Sequence, residues 1–325
     1  MRAPEFWRRD GILPRLLSPA GAIWRCRTAA RIANTTPVDV AAPVICIGNA
    51  VAGGAGKTPV AIAVNDSLIR HGVAAHFLSR GYGGSETGPL RVEPARHDVS
   101  DVGDEPLLLA RHAPTWISRD RVAGAQAAIA AGAPAIVMDD GFQNPALYKD
   151  ISILVVDGGY GFGNGRVMPA GPLREALSAA VDRVDAIAIV GADRVGVEHR
   201  LGGRKPVIAA RFVPLIDDDD LSGQPVVAFA GIGRPEKFFE TLAGMGCTLV
   251  ATRAFADHHP YTTDEVVRLI ETAAAAGAQP VTTEKDATRL PEETRTMVRT
   301  LRVTLEWRDR DALDTVVAPV LRAKE

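Results

Sequence analysis

The sequence has little cysteine, and the few cysteines are poorly placed for metal binding or cross-linking. Cys26, Cys46 and Cys247 are the only three in 325 residues, and no two of them form a CxxC pair. Structural zinc sites and disulfide frameworks both need paired or closely spaced cysteines. We therefore expect neither, and this cysteine usage fits a reducing cytosol.

The chain also lacks a long apolar run and an excess of positive charge. No stretch approaches the ~18–20 apolar residues that a membrane-spanning helix needs. The first residues contain arginines but no clean apolar core with a cleavage site, as a signal peptide would have. The net charge is −2, so no overall basic field draws the chain to nucleic acid. No nucleic-acid partner is expected, and no protein partner is evident.

What is present is an ordinary globular composition, with 46% hydrophobic and 23% charged residues. Short apolar runs alternate with helical patterns through much of the chain. Strands are predicted at 44–48, 74–78, 135–138, 151–156 and 186–190, and helices at 59–71 and 121–131. This alternation predicts an α/β fold, with a parallel sheet and helices on both faces.

A polar break at residues 217–220 precedes a second, smaller alternation. Strands are predicted there at 226–230, 248–251 and 280–283, and helices at 235–245 and 263–276. The length of the chain also suits two domains better than one. We expect one α/β domain over residues 37–220 and a smaller one over 221–325.

Residues 1–36 differ from the rest, since they hold seven arginines against two acids, interleaved with large apolar residues. Leu13 and Leu17 have helical spacing, while Pro14 and Pro19 predict a break into short helical pieces. An amphipathic segment at a membrane interface has this composition. A helix packed on the domain, with its arginines in solvent, has it too, and the pattern alone leaves both interpretations open.

The strongest chemical signal is the stretch Val51-Ala-Gly-Gly-Ala-Gly-Lys-Thr58. A phosphate-binding loop needs glycines so that backbone N–H groups can face the phosphates, a lysine for the β- and γ-phosphates, and a hydroxyl for Mg²⁺. The strict pattern has glycine where Val51 stands, but a strand precedes the loop and a helix follows it, which places phosphates at a helix N-terminus. The predicted nucleotide-binding residues are Gly53, Gly54, Ala55, Gly56, Lys57, Thr58 and Pro59.

Carboxylates follow at two places downstream. Asp139 and Asp140 end an apolar strand, as in the Walker B element that holds Mg²⁺. Asp104 and Glu105 open a predicted helix, where Asp104 is either an N-cap or a functional carboxylate. With the hydroxyl of Thr58, the predicted metal ligands are therefore Asp139, Asp140 and Glu105, and ATP with Mg²⁺ is the expected cofactor pair.

His258 and His259 lie together in a predicted turn. Two adjacent histidines rarely bind one metal, because helical sites use i, i+4 spacing. An exposed loop is one interpretation, and a histidine that transfers a proton or contacts substrate is the other.

Further short motifs accompany the loop, in order along residues 44–290. They are Gly48-Asn49 through Pro59, Ser79-Arg-Gly-Tyr82, Gly103-Asp-Glu-Pro106, Asp139-Asp-Gly-Phe-Gln143, Pro169-Ala-Gly-Pro-Leu-Arg-Glu175, Phe255-Ala-Asp-His-His-Pro-Tyr261 and Thr283-Glu-Lys-Asp286. The set resembles the tetraacyldisaccharide 4′-kinases, the lipid A 4′-kinases of Gram-negative bacteria. Val51 in the loop also resembles this family's own version of the motif.

The resemblance implies a P-loop kinase domain with a smaller domain that closes over a cleft. It implies transfer of the ATP γ-phosphate to the 4′-hydroxyl of a tetraacylated glucosamine disaccharide 1-phosphate, the lipid A precursor. It also implies a peripheral, monotopic enzyme on the cytoplasmic face of the inner membrane. Residues 1–36 then become an expected helical anchor on the anionic membrane surface.

The same resemblance suggests roles for individual residues. Lys57, Asp104 and His258 are the implied catalytic residues, with Asp104 as the base and His258 as its partner. The implied substrate-binding residues are Arg80, Gln143, Arg174 and Glu175. One departure is Asn144, which stands where the family usually has histidine and cannot carry a proton.

Three other functions remain to be separated from this one. The first is a P-loop ATPase or GTPase switch, although Ala52 replaces the lysine that many of these proteins have before the glycine pair. In Thr283-Glu-Lys-Asp286 the register also differs from a guanine-reading motif. The second is a kinase for a soluble sugar or nucleotide, and the third is a membrane-bound module that uses ATP only structurally.

Overall fold

The structure is a computed structural model that describes residues 4–215 and 221–322. It divides into a larger unit, Ala3–Arg211 with Leu305–Glu325, and a smaller one, Phe212–Thr304. The expected boundary at residue 220 lies among residues outside the described part. The division also differs from the expected one because the end of the chain groups with the larger unit.

The larger unit is built on a mostly parallel sheet. Its strands are β1 (Val44–Gly48), β2 (His76–Ser79), β3 (Leu90–Arg91), β4 (Thr115–Ile117), β5 (Ile136–Asp139), β6 (Ile151–Asp157), β7 (Ala186–Val190) and β8 (Val207–Pro214), with β13 (Val303–Trp307) arriving from the end of the chain. Over the described residues the order is β13-β8-β7-β6-β1-β5-β2-β4-β3. From β8 to β4 every neighbouring pair is parallel, and β3 is antiparallel to β4. The predicted α/β class is confirmed.

Helices connect these strands. They are α1 (Ile12–Ala33), α2 (Lys57–Arg70), α3 (Val99–Val102), α4 (Asp104–Leu109), α5 (Arg121–Ala130), α6 (Leu177–Asp182) and α7 (Val197–Leu201), preceded by a 3₁₀ turn at Glu5–Trp7. All five residues of the central strand β1 are buried. Strands covered on both faces read as continuous apolar runs, which is why β1 was predicted with its observed bounds.

The smaller unit has its own four-stranded sheet. It contains β9 (Pro225–Ala230), α8 (Pro235–Gly244), β10 (Thr248–Ala254), α9 (Thr263–Ala275), β11 (Gln279–Thr283), α10 (Glu284–Ala287), α11 (Glu292–Arg295) and β12 (Arg299–Leu301). Among the described residues the order is β10-β9-β11-β12, with all pairs parallel. Its core is separate from that of the larger unit and includes Val226, Phe238 and Leu242.

The last helix, α12 (Ala312–Arg322), packs on α2 in the larger unit. Leu313, Val317 and Val320 supply its buried apolar side. At its start, Asp314 accepts hydrogen bonds from Ser67 and Arg70 of α2. These contacts explain why the end of the chain belongs to the larger unit.

The N-terminal segment forms one continuous helix, and the predicted break into short pieces is wrong. Pro14 is the third residue of α1. A missing N–H costs no helical hydrogen bond there, because the N–H groups of the first turn have no acceptor within the helix. Pro19 lies inside the helix and removes one backbone hydrogen bond. The residue before it, Ser18, donates its hydroxyl to the Pro14 carbonyl at 2.8 Å.

The apolar side chains of α1 are distributed around the helix rather than gathered on one buried face. Pro14 and Gly21 are buried against the domain, whereas Ile12, Leu16 and Ile23 are 64–81% exposed. Position 14 is two residues from both 12 and 16, and two residues turn a helix through about 200°. The exposed apolar residues therefore face away from the domain. Within the described residues, none of the helices has the length and apolar character to cross a bilayer.

Candidate active site

The phosphate-binding loop connects the end of β1 to the start of α2. Gly56 precedes α2 with φ of 91°, a left-handed conformation that favours glycine. Gly48 lies so close to Phe142 that an added Cβ would be 2.3 Å from the Phe142 side chain. Val51 is buried and forms an isolated antiparallel bridge with Leu173, so a side chain at this departure from the strict motif has a packing role.

Two contacts join the phosphate-binding loop to the end of β5. The Thr58 hydroxyl donates to Asp139 at 3.0 Å, and Lys57 Nζ lies 3.8 Å from Asp140 Oδ1. Lys57, Thr58 and Asp139 are all buried. Because β1 and β5 are parallel neighbours, the residues that follow them meet at the same edge of the sheet. The structure thus brings together the predicted Walker A and Walker B residues.

Asp139 is a buried carboxylate whose negative charge is only partly offset by its neighbours. Burial, and then the charge of Glu105, raise its pKa well above the ordinary range, against the lowering effect of Lys57. Its second oxygen, Oδ1, is buried with no hydrogen-bond partner among the described residues. An orphaned carboxylate oxygen beside a threonine hydroxyl fits the oxygen ligands that Mg²⁺ prefers.

Asp140 has the opposite electrostatic surroundings. Burial raises its pKa, but Lys57 and Arg174 outweigh that effect and the net pKa is lowered. Arg174 donates to Asp140 Oδ1 at 2.9 Å and to Gln143 Oε1 at 3.1 Å. Asp140 also has φ of 52°, a left-handed backbone conformation that is uncommon outside glycine and clusters at functional sites.

Glu175 and Gln143 extend this network. The Gln143 amide donates to Glu175 Oε1 at 3.1 Å and to the Asn49 carbonyl at 3.0 Å. Glu175 is buried and accepts a hydrogen bond from Arg183, which also lies over the Phe142 ring at 4.6 Å. Three of the four predicted substrate-binding residues, Gln143, Arg174 and Glu175, therefore form one hydrogen-bonded network, which reaches Asp140 through Arg174.

Arg121, which the sequence reasoning missed, is a buried cation near the same edge. Its guanidinium donates to the Ser118 carbonyl, and its Nε has no partner among the described residues. Burial and then the charge of Arg80 lower its pKa to about 10. Arg80, one of the implied substrate-binding residues, is exposed and follows β2. The available signal was an arginine opening a helix after a parallel strand, a weak pattern on its own.

Asp104 is buried at the first position of α4, and the residue before it, Gly103, is the N-cap. Its Oδ1 accepts the Glu105 N–H at 2.9 Å. Gly103, and not Asp104, is thus the N-cap of α4. The aspartate that caps a helix nearby is Asp98, which forms a full capping box with Asp101 at the start of α3. Asp104 thus satisfies one N–H of its own helix without being the cap residue.

His258 belongs to the smaller unit and is held in a tight turn. It has φ of 59°, its N–H donates to the Gly231 carbonyl at 3.0 Å, and its ring lies 3.5 Å from Lys285 Nζ. The fully buried Asp286 accepts from the Gly231 N–H and the Tyr261 hydroxyl, each at 2.9 Å. The motifs around 255–261 and 283–286 therefore form one hydrogen-bonded cluster.

Comparison with known proteins places this geometry in a family. The family model described as tetraacyldisaccharide-1-P 4′-kinase matches residues 13–322. The chain belongs to that family. It is accordingly an ATP-dependent kinase, and the reaction of the family is the 4′-phosphorylation of lipid A synthesis.

Individual tetraacyldisaccharide 4′-kinases match the chain over nearly its full length. The protein of that name from Rhodospirillum centenum is 52% identical over 333 residues, covering 100% of this chain and 98% of the relative. That from Rhodospirillum rubrum is 53% identical over 302 residues, covering 92% and 91%. A crystal structure of LpxK from Aquifex aeolicus, described as the "apo" form in complex with ATP, is 25% identical. It has a TM-score of 0.78 and covers 95% of this chain and 100% of that one.

In this kinase Asn144 has a structural role at the position where histidine was expected. Its Oδ1 accepts the Ala146 N–H at 2.9 Å, the local turn that asparagine favours. Its carbonyl accepts from Lys149 at 2.6 Å, and Lys149 also donates to the Phe142 carbonyl at 3.3 Å. Asn144 thereby shapes the loop that carries Gln143.

No three His, Cys, Asp or Glu side chains among the described residues of the kinase form a ready-made metal cage. Mg²⁺ in phosphoryl-transfer sites is usually held by one or two carboxylates together with the phosphates of the nucleotide. Asp139 with Thr58 matches that smaller ligand set.

Proposed function

We propose that the chain transfers the γ-phosphate of ATP to the 4′-hydroxyl of a tetraacylated glucosamine disaccharide 1-phosphate, using Mg²⁺, at the cytoplasmic face of the inner membrane. The observation that carries the site assignment is the pairing of the phosphate-binding loop with the two aspartates, Thr58 with Asp139 and Lys57 with Asp140. These are the parts that a phosphoryl-transfer site needs, since catalysis there is mostly positioning and charge neutralisation.

On the nucleotide side, Gly53, Gly54, Ala55 and Gly56 present backbone N–H groups to the phosphates, with Pro59 in the following turn of α2. Lys57 neutralises the β- and γ-phosphates. Thr58 and Asp139 would hold Mg²⁺, with Asp140 and Glu105 as further acidic groups around it. When bound, Mg²⁺ would offset the charge of the phosphate oxygens.

Two arginines, Arg80 and Arg121, favour the extra negative charge of the transferred group. Arg80 is close enough to Arg121 for its charge to lower the pKa of Arg121. Arg174, in contrast, contacts Asp140. Two neighbouring guanidinium groups repel each other, so an anion placed near both would be stabilised. We assign Arg121 and Arg80 to the phosphates and keep Gln143, Arg174 and Glu175 as candidates for the head group of the acceptor.

On the acceptor side, the 4′-hydroxyl oxygen forms the new bond to phosphorus as the bond to the β-γ bridging oxygen breaks, and ADP leaves. The proton of the hydroxyl has to be accepted by a base. We assign that role to Asp104, with His258 as its partner. Support comes from the burial of Asp104 and from the hydrogen-bonded turn that holds His258.

The acceptor carries four acyl chains and resides in a membrane, so the enzyme has to work at the bilayer surface. We assign that contact to α1 and the residues before it. Ile12, Leu16 and Ile23 are exposed apolar side chains on one side of α1, and the segment is rich in arginine. Apolar insertion and attraction of basic residues to anionic lipid act together in interfacial helices.

The direct test uses the purified protein, labelled ATP and the disaccharide 1-phosphate lipid in detergent micelles. Mass analysis should show one phosphate added to the lipid, and fragmentation should place it on the distal sugar. Lys57→Ala is the inactive control, with an expected loss of ~10²-fold or more. Labelled phosphate released to water without any lipid product would indicate an ATPase instead.

A further inference from the structure

Helix α1 lies directly against the segment that precedes Arg174. A Cβ added at Gly21 would be 2.8 Å from the Val167 carbonyl oxygen, so the helix backbone touches this segment. Arg166 donates to Asp10 and to Ser18 on the same side. Closer to the N-terminus, the Trp7 indole donates to the Pro169 carbonyl at 3.0 Å.

Two further side chains of α1 reach the backbone of site residues. The Trp24 indole Nε1 donates to the Arg174 carbonyl at 3.2 Å. Arg31 donates to the Gln143 carbonyl, also at 3.2 Å. Trp24 is 47% exposed and Arg31 is exposed as well, so their placement is not explained by burial in a core.

One acceptor belongs to Arg174, which contacts Asp140, and the other to Gln143, which is hydrogen-bonded to Arg174. Arg174 donates to Asp140 and to Gln143 through its side chain. Its backbone N–H donates to Ala50 in the phosphate-binding loop at 2.8 Å, and Ala52 N–H donates to Pro172 at 2.8 Å. The segment 172–174 is therefore bonded to α1 on one side and to the phosphate-binding loop on the other.

A hydrogen bond to a carbonyl fixes the plane of its peptide, and so limits the direction in which the side chain leaves the backbone. The carboxylate of Asp140 is held by Arg174 at 2.9 Å and lies 3.8 Å from Lys57 Nζ. Because misplacement of a catalytic group by about 1 Å can cost ~10²-fold in rate, small movements of Arg174 matter for turnover.

We propose that Trp24 and Arg31 are positioning residues for phosphoryl transfer. They hold the backbone of Arg174 and Gln143, and through these side chains they hold Asp140 and the phosphate-binding loop. Helix α1 is then part of the support of the active site, whether or not a membrane is present. The inference rests on the proposed function in one respect, the assignment of the Asp140 cluster to catalysis.

The test compares Trp24→Phe, Arg31→Gln and the double variant with the wild-type protein. Trp24→Phe keeps an aromatic ring and removes the N–H donor. Arg96→Gln is the matched control, since Arg96 is an exposed arginine of the larger unit that pairs with Glu93. Activity is measured with the lipid in neutral detergent micelles, where no anionic surface is available.

We expect kcat of the double variant to fall about 10-fold, with KM for lipid and ATP within two-fold and an unchanged unfolding temperature. Arg31→Lys should recover much of the loss of Arg31→Gln, because lysine keeps a long, charged donor whereas glutamine has a shorter, neutral one. Should the double variant fail to fold, the Arg31→Gln and Arg31→Lys pair decides the matter, since Arg31 is exposed.

Two results would overturn the inference. One is a folded double variant with kcat within two-fold of wild type. The other is a variant whose KM for lipid rises while kcat stays constant, which would make α1 a lipid-contacting element only. Failure of the proposed function is distinguishable, because then the wild-type protein itself forms no phosphorylated lipid.

Discussion

At the scale of single residues, Asp139 and Asp140 show how neighbours in sequence acquire different chemistry. Burial and Glu105 raise the pKa of Asp139, whereas Lys57 and Arg174 lower that of Asp140 in spite of burial. Environments that push the pKa values of two carboxylates apart usually separate their roles. Asp139 has an unpaired, buried oxygen that a cation would stabilise, while Asp140 already has two cationic partners.

Asp139→Asn should therefore change the magnesium dependence of the reaction. The amide keeps the size of the side chain but lacks the negative charge, so the Mg²⁺ concentration for half-maximal rate should rise about 10-fold or more. The measurement is initial rate against free Mg²⁺ at saturating ATP.

Asp157→Asn provides the matched control, because Asp157 is a buried carboxylate at the end of β6, which is separated from β5 by β1. It accepts the Gly159 and Tyr160 N–H groups, contacts that lie outside the proposed site. An Asp139→Asn enzyme with the magnesium dependence of the control would remove Asp139 from the ligand set.

At the scale of elements, α12 stabilises the helix that carries Lys57 and Thr58. Asp314 of α12 accepts from Ser67 and Arg70 and pairs with His71 at 3.4 Å. The hydrogen bond from Ser67 is the largest cause of a lowered pKa for Asp314. A carboxyl whose folded pKa lies below its unfolded value stabilises the protein above the unfolded pKa of about 3.9.

Asp314→Asn should lower the free energy of unfolding at pH 7 by about 1 kcal/mol, the size of a partly exposed charged hydrogen bond. The difference from wild type should shrink as the pH falls below about 4, through the folded pKa, because the wild-type carboxyl is then protonated too. Urea unfolding at several pH values measures this. A difference that is constant across the pH range would contradict the electrostatic explanation.

Helix α1 permits a second test at this scale. Replacing Ile12, Leu16 and Ile23 together by serine should weaken binding to anionic vesicles at least 10-fold, since each buried apolar side chain contributes about 1.5–3 kcal/mol. The unfolding temperature should not change, because all three side chains are exposed. Co-sedimentation with vesicles, at low and high salt, measures the binding.

The control for this test is Met297→Ser, which removes an exposed apolar side chain from the smaller unit. Equal vesicle binding by the triple variant and the wild-type protein would place the membrane contact outside this face of α1.

The elements also show what the sequence could predict. β1 and β7 were predicted with their observed bounds because fully buried parallel strands are uninterrupted apolar runs. β3 was missed because its two residues are too few to show a period. α12 was missed although Leu313, Val317 and Val320 have helical spacing, because Pro319 inside it argues against a helix. The expected single apolar face of α1 was not confirmed, since spacing cannot tell which side of a helix faces the domain.

The site shows the same division. Lys57, Thr58, Asp139 and Asp140 were predictable because their motifs follow strands that end at one edge of the sheet. The contacts of Arg121 and Trp24 were not predictable, because both depend on tertiary placement and no local motif marks them.

At the scale of the whole molecule, the two residues proposed for proton transfer belong to different units. Asp104 belongs to the larger unit and His258 to the smaller one. Asp104→Asn should lower kcat by ~10²-fold or more with nucleotide binding largely kept, and His258→Ala should act in the same direction. The double variant should lose far less than the product of the two single losses if the residues act together.

Single-turnover rates of the four enzymes complete this mutant cycle. Multiplicative losses would show that the two residues act independently. Nearly full turnover by a folded Asp104→Asn enzyme would remove Asp104 as the base.

The return of α12 to α2 has a consequence for the order in which the protein is made. Domains tend to fold during synthesis, from the N-terminus onward. The smaller unit, Phe212–Thr304, is complete in sequence before the ribosome has translated Leu305–Glu325 of the larger one. The larger unit therefore begins before the smaller one and is completed after it. The helix bearing Lys57 and Thr58 lacks α12 until the whole of the smaller unit has been translated. A nascent chain stopped short of α12 would leave the ribosome with its nucleotide-binding unit incomplete.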